Sequence, residues 1–226
     1  MKKHIVVLTG AGMSAESGLK TFRDADGLWE GHDVMEVASP QGFAANPELV
    51  LEFYNQRRKQ LLSVKPNAAH IALANLEHHY KITIVTQNVD DLHERAGSTN
   101  VIHLHGELLK VRSTQNEFEV KDWQTDLVLG NTCSKGHQLR PDIVWFGEAV
   151  PLIETAIGIC QTADILLIIG TSMQVYPAAS LMHYVNPETK IFYIDPNPAM
   201  DYNSQVTVIK ESATSGIKKF LNLLAH

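Results

Sequence analysis

Near the start of the chain stands Ile5-Val6-Val7-Leu8-Thr9-Gly10-Ala11-Gly12. Four consecutive apolar residues run straight into a small, glycine-rich turn. A continuous apolar run, unlike an alternating one, reads as a parallel strand covered on both faces. The glycines allow a tight turn and a close approach of backbone to a pyrophosphate. The amides that follow, at a helix start, can donate to it. With Ala15 the spacing is G-x-G-x-x-A. An ordinary structural turn uses the same residues, so on this stretch alone both readings stay open.

Similar apolar runs occur at 82–86, 165–169, 190–194 and 206–209. Polar or small residues follow several of them: Gln87-Asn88, Gly170-Thr171-Ser172 and Asp195-Pro196-Asn197. Strands of a parallel sheet end in this way when their carboxyl ends line one ligand crevice. Helices are predicted between them. Asn46-Pro47-Glu48 is a start signal, with a capping Asn, a Pro suited to the first position and a Glu at the positive end. Further helices are predicted over 67–79, 151–163, 178–184 and 213–224. The fold class is therefore α/β, a Rossmann-like parallel sheet flanked by helices, with a smaller domain formed from two insertions. The Rossmann-like part takes residues 1–30, 80–109 and 139–226. A helical insertion takes 31–79. Residues 110–138, polar and turn-like, form the second.

Composition narrows the classes. The chain has 226 residues, 44% hydrophobic and 19% charged, which is sufficient for a packed core. Nineteen basic against twenty-five acidic residues give a net charge of −6, so no nucleic-acid partner is expected. The two cysteines, Cys133 and Cys160, supply neither a disulfide framework nor a four-cysteine zinc site. No apolar run approaches a membrane span, so no membrane partner and a cytoplasmic location are expected.

Several motifs can carry chemistry. An ordinary dehydrogenase places an acid some 20 residues after the glycine turn, at the end of a second strand. Here Asp24, Asp26 and Asp33 stand amid Gly27, Trp29 and Gly31 with no strand before them, which disfavours hydride transfer. In Phe22-Arg23-Asp24, Arg23 suits a phosphate or carboxylate, or is a plain surface arginine. Gln87-Asn88-Val89-Asp90 offers amide and carboxylate groups for an amide ligand or sugar hydroxyls. In His103-Leu104-His105-Gly106 the two histidines share one side of a short extended segment. His105 suits a general base, since an imidazole titrates near neutrality, or is a hydrogen-bonded structural residue. No G-x-S-x-G and no H-E-x-x-H occur, which leaves serine or zinc hydrolysis little support.

Taken in order, these pieces resemble the sirtuins, the NAD-dependent protein-lysine deacylases, through nearly the whole chain. Gly10-Ala11-Gly12-Met13-Ser14-Ala15-Glu16-Ser17-Gly18 with Thr21-Phe22-Arg23-Asp24 resembles the family's first signature. Thr86-Gln87-Asn88-Val89-Asp90-Asp91-Leu92-His93 resembles its second. His103-Leu104-His105-Gly106 carries the catalytic histidine at His105. The stretch from Leu139 through Val144, Trp145, Phe146 and Gly147 to Glu148 resembles the acyl-lysine loop, and Gly170-Thr171-Ser172 with Asp195-Pro196-Asn197 completes the cofactor side.

The resemblance implies NAD as cofactor, held by Gly10, Ala11, Gly12, Ser14, Ala15, Phe22, Arg23, Gln87, Asn88, Asp90, Gly170, Thr171, Ser172 and Asn197. It implies His105 and Asn88 as catalytic residues. Acyl-lysine proteins or peptides would be the partners, bound by Val144, Phe146, Gly147, Glu148 and Val175. The products would be free lysine, nicotinamide and O-acyl-ADP-ribose. The class with bacterial and mitochondrial desuccinylase-like members is most similar, because Tyr54 and Arg57 stand three apart on the helix lining the acyl pocket. A phenol and a guanidinium there suit a terminal carboxylate, so succinyl, malonyl or glutaryl groups are expected beside acetyl.

Most family members hold a structural zinc with two cysteine pairs. The equivalent positions lie near Ser113, Asn116, Cys133 and Gly136, so only Cys133 remains and no metal site is expected. The module is then expected to hold by packing, through Phe118, Trp123, Leu127 and Leu129. A monomer is the expected state. The alternatives are a mono-ADP-ribosyltransferase using the same cofactor pocket, and a non-catalytic NAD-binding module.

Overall fold

The computed structural model describes residues 2–20, 28–29, 31–199 and 205–224. Its first half contains β1 (His4–Thr9), α1 (Ala11–Ala15), β2 (Leu28–Trp29), β3 (His32–Asp33), α2 (Val34–Val37), α3 (Pro40–Ala45), α4 (Pro47–Ser63), α5 (Ala68–Leu76), β4 (Lys81–Thr86) and α6 (Leu92–Arg95). Then follow β5 (Val101–His103), β6 (Gly106–Ser113), β7 (Val120–Asp122), β8 (Leu139–Ile143), α7 (Ile153–Cys160) and β9 (Ile165–Ile169). A 3-10 helix (Ala178–Tyr184), β10 (Lys190–Ile194), β11 (Val206–Ile209) and α8 (Ala213–Leu224) complete the order.

All six residues of β1 are buried, because the strand is central and covered on both sides. It pairs in parallel with β4 and with β9. The full sheet runs β11-β10-β9-β1-β4-β5, every pair parallel. Alternate residues face opposite layers. Ile5 and Val7 pack with Ala69 and Leu73 of α5 and Ile217 and Phe220 of α8. Val6 and Leu8 pack with Ala156 and Cys160 of α7 and with Leu181. Strand order reverses at β1 and β9, and at such a switch point the chain leaves in opposite directions and opens a crevice.

Helix α4 starts as its sequence dictates. The Asn46 side chain accepts from the Leu49 amide at 3.1 Å, and Pro47 takes the first turn. Asn67 caps α5 within a reciprocal box, its partner being His70. The helix expected over 151–163 is shorter, with turns at both ends, and 178–184 tightens into the 3-10 form.

The second sheet is antiparallel, with β6 between β7 and β8. Its core is Leu51, Val111, Leu127, Cys133 and Leu139, with Trp123 partly buried against it. The expectation that Phe118 and Leu129 fill this core is corrected, since they are 87% and 45% exposed. The turn over 116–119, in which Asn116 Oδ1 accepts from the Phe118 amide, projects Phe118 outward. A second turn, closed by Asn131 N donating to Val128 O, does the same for Leu129.

Side chains of α4 fasten this module. Asn55 donates to Leu127 O at 3.0 Å and accepts from Leu127 N at 2.8 Å. Arg58, 1% exposed, donates to Leu108 O, Thr125 O and Asn55 Oδ1. Ser113 donates to Cys133 Sγ at 3.4 Å. Among the described residues no group of three His, Cys, Asp or Glu side chains could hold a metal ion.

Candidate active site

The turn after β1 is locked against the end of β9. Gly12 N donates to Gly170 O at 2.8 Å. Gly170 has φ +64°, and a Cβ there would collide with the Met13 backbone. A Cβ on Gly10 would come within 2.7 Å of Thr171 Cβ. The two backbones therefore meet with no side chain between them, directly over the switch point. Ala11 and Ala15 are exposed, while Ser14 is buried.

Ser14 is a junction. Its hydroxyl donates to Asp90 Oδ2 at 2.8 Å, accepts from Asn88 Nδ2 at 3.1 Å and lies 3.5 Å from His70 Nε2. Burial raises the Asp90 pKa against the Ser14 and Leu92 N–H bonds that favour its anion. Gln87 Nε2 donates to Thr171 Oγ1 at 3.2 Å, linking the ends of β4 and β9. Ser172 is half-buried beside Met173, which is held at φ 55°, a region few non-glycine residues adopt. Asn197 is exposed at the end of β10, its amide donating to Asp195 Oδ1 at 2.8 Å.

His105 stands between the two sheets. Its Nδ1 lies 3.0 Å from Gln87 O. A carbonyl only accepts, so Nδ1 carries the proton and Nε2 presents a lone pair. Burial lowers the His105 pKa more than the Gln87 bond raises it, which keeps the imidazole neutral at neutral pH. His103 is the opposite case. Burial opposes its charge, but Glu94 at 2.8 Å and the Asn88 carbonyl at 3.0 Å outweigh it and raise the pKa.

The other wall is built from α4 and the segment after β8. Val144 N donates to His105 O and Phe146 N to Ala38 O, both at 2.9 Å. Val144 is half-buried, and Phe146 and Gly147 are exposed. Glu148 turns inward. It accepts from Arg140 at 2.6 and 3.1 Å, from Arg112 at 3.2 Å and from Trp145 N at 2.8 Å. Burial opposes this carboxylate, yet those donors hold its pKa below the usual range. Tyr54 is 1% exposed, and its hydroxyl accepts from Trp145 Nε1 at 2.9 Å. The Arg57 guanidinium lies 4.6 Å over the Phe53 ring. Val175 is half-buried ahead of the cis peptide bond between Tyr176 and Pro177.

Ser14, Gln87, Asn88, Asp90, His105 and Thr171 thus gather at the strand ends. Tyr54, Val144 and Glu148 belong to the neighbouring wall. Phe22 and Arg23 lie outside the described residues. Nothing in the sequence marks a role for His93, Arg140 or Trp145, although they stand within its motifs, and His70 went unmarked. His70 had a signal, because Asn67-x-x-His has the spacing of a capping box. The buried contacts of Thr9 with Thr86 at 2.7 Å and with His93 at 3.2 Å had none, since they join residues far apart in the chain.

The family description "Sir2 family" matches residues 10–177. A protein from Helicobacter pylori named NAD-dependent protein deacylase is 59% identical over 97% of this chain and 96% of its own. One of the same name from Bacteroides thetaiotaomicron is 52% identical over 98% of each. Among solved structures, a Sir2 homologue in complex with NAD superposes with a TM-score of 0.87 at 40% identity, over 99% of this chain and 90% of that one. A variant Sir2 homologue bound to ADP-ribose gives 0.84 at 39% identity, over 98% and 94%. The glycine turn, the polar strand ends and the half-buried His105 all lie on the span these relatives share, and this chain belongs to the Sir2, or sirtuin, family.

Proposed function

We propose that the protein is an NAD-dependent protein-lysine deacylase acting on succinyl-, malonyl- or glutaryl-lysine as well as acetyl-lysine. The observation that carries the reading is His105, fixed by Gln87 O at Nδ1 and kept neutral by burial. The names of the relatives and the NAD and ADP-ribose complexes of the structural neighbours support it.

The residues fit a dinucleotide. At Gly10, Gly12 and Gly170 the turn after β1 closes against the end of β9 with no space for a Cβ, and the amides at the helix start that follows, with Ala11, Ser14 and Ala15, are read as the seat of the pyrophosphate. Gln87, Asn88, Asp90, Thr171, Ser172 and Asn197 offer hydrogen-bonding groups along the strand ends. When bound, NAD supplies nicotinamide as leaving group and ADP-ribose as acyl acceptor. His105 Nε2 takes a proton from a ribose hydroxyl, and the Gln87 carbonyl steadies the imidazolium that forms. Asn88, held by Ser14, orients the nicotinamide side. Val144, Phe146, Gly147 and Val175 border the acyl-lysine chain. Tyr54 and Arg57 meet a terminal carboxylate. Glu148 serves this wall from within, as the counter-charge of Arg112 and Arg140.

The zinc positions do not fit a metal. Ser113 and Cys133 bond each other, and Asn116 Oδ1 is taken by the Phe118 amide. One thiol without three companion ligands is not a closed zinc site. The module is read as metal-free, and the protein as a cytoplasmic monomer acting on acyl-lysine proteins.

The test is one peptide backbone carrying acetyl-, succinyl-, malonyl- or glutaryl-lysine, with and without NAD, followed by mass spectrometry. NAD-dependent free lysine and O-acyl-ADP-ribose are expected, with the acidic acyl groups preferred. Transfer of ADP-ribose to protein without deacylation overturns the reading in favour of a transferase.

A further inference from the structure

We propose that Trp145 is a specificity-determining residue, which fixes Tyr54 as a hydrogen-bond donor toward the acyl pocket and thereby favours acyl groups that end in a carboxylate. The proposal rests on the reading of Tyr54 and Arg57 as the acyl-selecting pair.

It starts from the chemistry of two side chains. An indole N–H can only donate. A phenol hydroxyl can accept and can donate its single proton. Trp145 Nε1 lies 2.9 Å from the Tyr54 oxygen, so Tyr54 is the acceptor of that bond. The phenolic proton must then point elsewhere. Among the described residues no acceptor takes it, although Tyr54 is 1% and Trp145 2% exposed. A buried donor without a partner is costly to leave unmade. A carboxylate at the end of a bound acyl chain supplies the acceptor, whereas an acetyl methyl does not. Burial also pushes the Tyr54 pKa up, far from any working pH, so the group stays a neutral donor.

Trp145 is held so that it cannot turn away. The Arg140 guanidinium stacks 3.3 Å from the centre of its ring, and the Phe43 ring lies 5.3 Å away on centroids. Arg140 is tied by two bonds to Glu148, which also accepts from the Trp145 amide. The sequence around Trp145 thus builds a support for one indole N–H as well as a wall for the acyl-lysine chain. Phenylalanine at 145 would keep an aromatic face for the stacking and lose the donor, together with part of the bicyclic ring's volume. The Tyr54 hydroxyl would then be free to rotate, and part of its preference for a carboxylate would be lost.

The experiment measures kcat and KM on succinyl- and acetyl-peptides for the wild type, W145F, Y54F, the W145F/Y54F double variant and R57M. W145F is expected to lower the succinyl-to-acetyl ratio of kcat/KM by about threefold to tenfold, the size of one hydrogen bond. The change is expected in KM for the succinyl peptide. In the Y54F background W145F is expected to add nothing, because the two act through one hydroxyl. If Y54F and R57M lower the ratio and W145F does not, Trp145 only packs and the proposal is overturned. If none of them lowers it, the acyl-selecting reading fails and the proposal falls with it. Should W145F fold poorly, 3-benzothienylalanine at position 145 makes the same comparison, since it keeps the bicyclic shape without the N–H.

Discussion

His105 Nδ1 and the carbonyl oxygen of Gln87 lie 3.0 Å apart, across the gap between the end of β4 and the start of β6. The contact sets the tautomer, and burial lowers the pKa below the ordinary 6.5. A base must be neutral to act, so activity is lost only as pH falls through that lowered value. The acid limb of kcat/KM between pH 5 and 8 is expected to have its midpoint below 6.5. A midpoint above 6.5 contradicts the assignment, because that is where the raised pKa of His103 lies.

A second expectation concerns Asn55. Its side chain makes both backbone bonds of buried Leu127 and receives one from Arg58. Asn55→Ala leaves those groups buried without partners and is expected to cost about 2–4 kcal/mol in chemical denaturation. A chelator is expected to leave the wild-type melting temperature unchanged, since the module is read as metal-free. A fall in melting temperature with chelator contradicts that reading.

The parallel sheet was legible in the sequence for a physical reason. A strand covered on both faces must be apolar throughout, so 5–8, 165–169 and 190–194 stood out as runs. The cap Asn46 was readable because a cap is a local contact. The small sheet was not. β7 is exposed along its length, and β8 contains Arg140 and Pro141, which read as loop. Its core depends on Leu51 from α4 and on Asn55 and Arg58, none of which is near it in the chain. The order of site residues was legible as motifs. The support beneath them was not, because the Trp145 bond to Tyr54 spans 91 positions.

Glu148→Gln removes the counter-charge of Arg140 and one of the two carboxylates beside Arg112; the Arg140 and Arg112 side chains are 9% and 12% exposed. The segment over 143–148 is then less well held. The KM for acyl peptide is expected to rise on the order of fivefold while that for NAD is unchanged. Steady-state kinetics varying each substrate in turn checks this. An equal rise for both contradicts a role confined to the acyl-lysine wall.

His70 and His93 are buried and neutral. Burial, with Arg95 adding to it, pushes His70 down to about 4, and burial holds His93 well below 6.5. Below pH 6.5 the unfolded chain binds protons these side chains refuse in the fold. Stability is therefore expected to fall as pH drops from 6.5 toward 4, by up to about 1.4 kcal/mol per pH unit for each group. Urea midpoints between pH 7 and pH 5 measure it, and a midpoint unchanged over that range contradicts it.

The most direct measurement compares wild type and His105→Ala on a succinyl-lysine peptide, following free lysine by mass spectrometry and NAD binding by calorimetry. The account predicts NAD-dependent deacylation by the wild type. It predicts a loss of at least about a hundredfold in the variant, with NAD affinity nearly unchanged. Equal turnover by the two proteins would contradict the assignment of His105 as the base on which the mechanism rests.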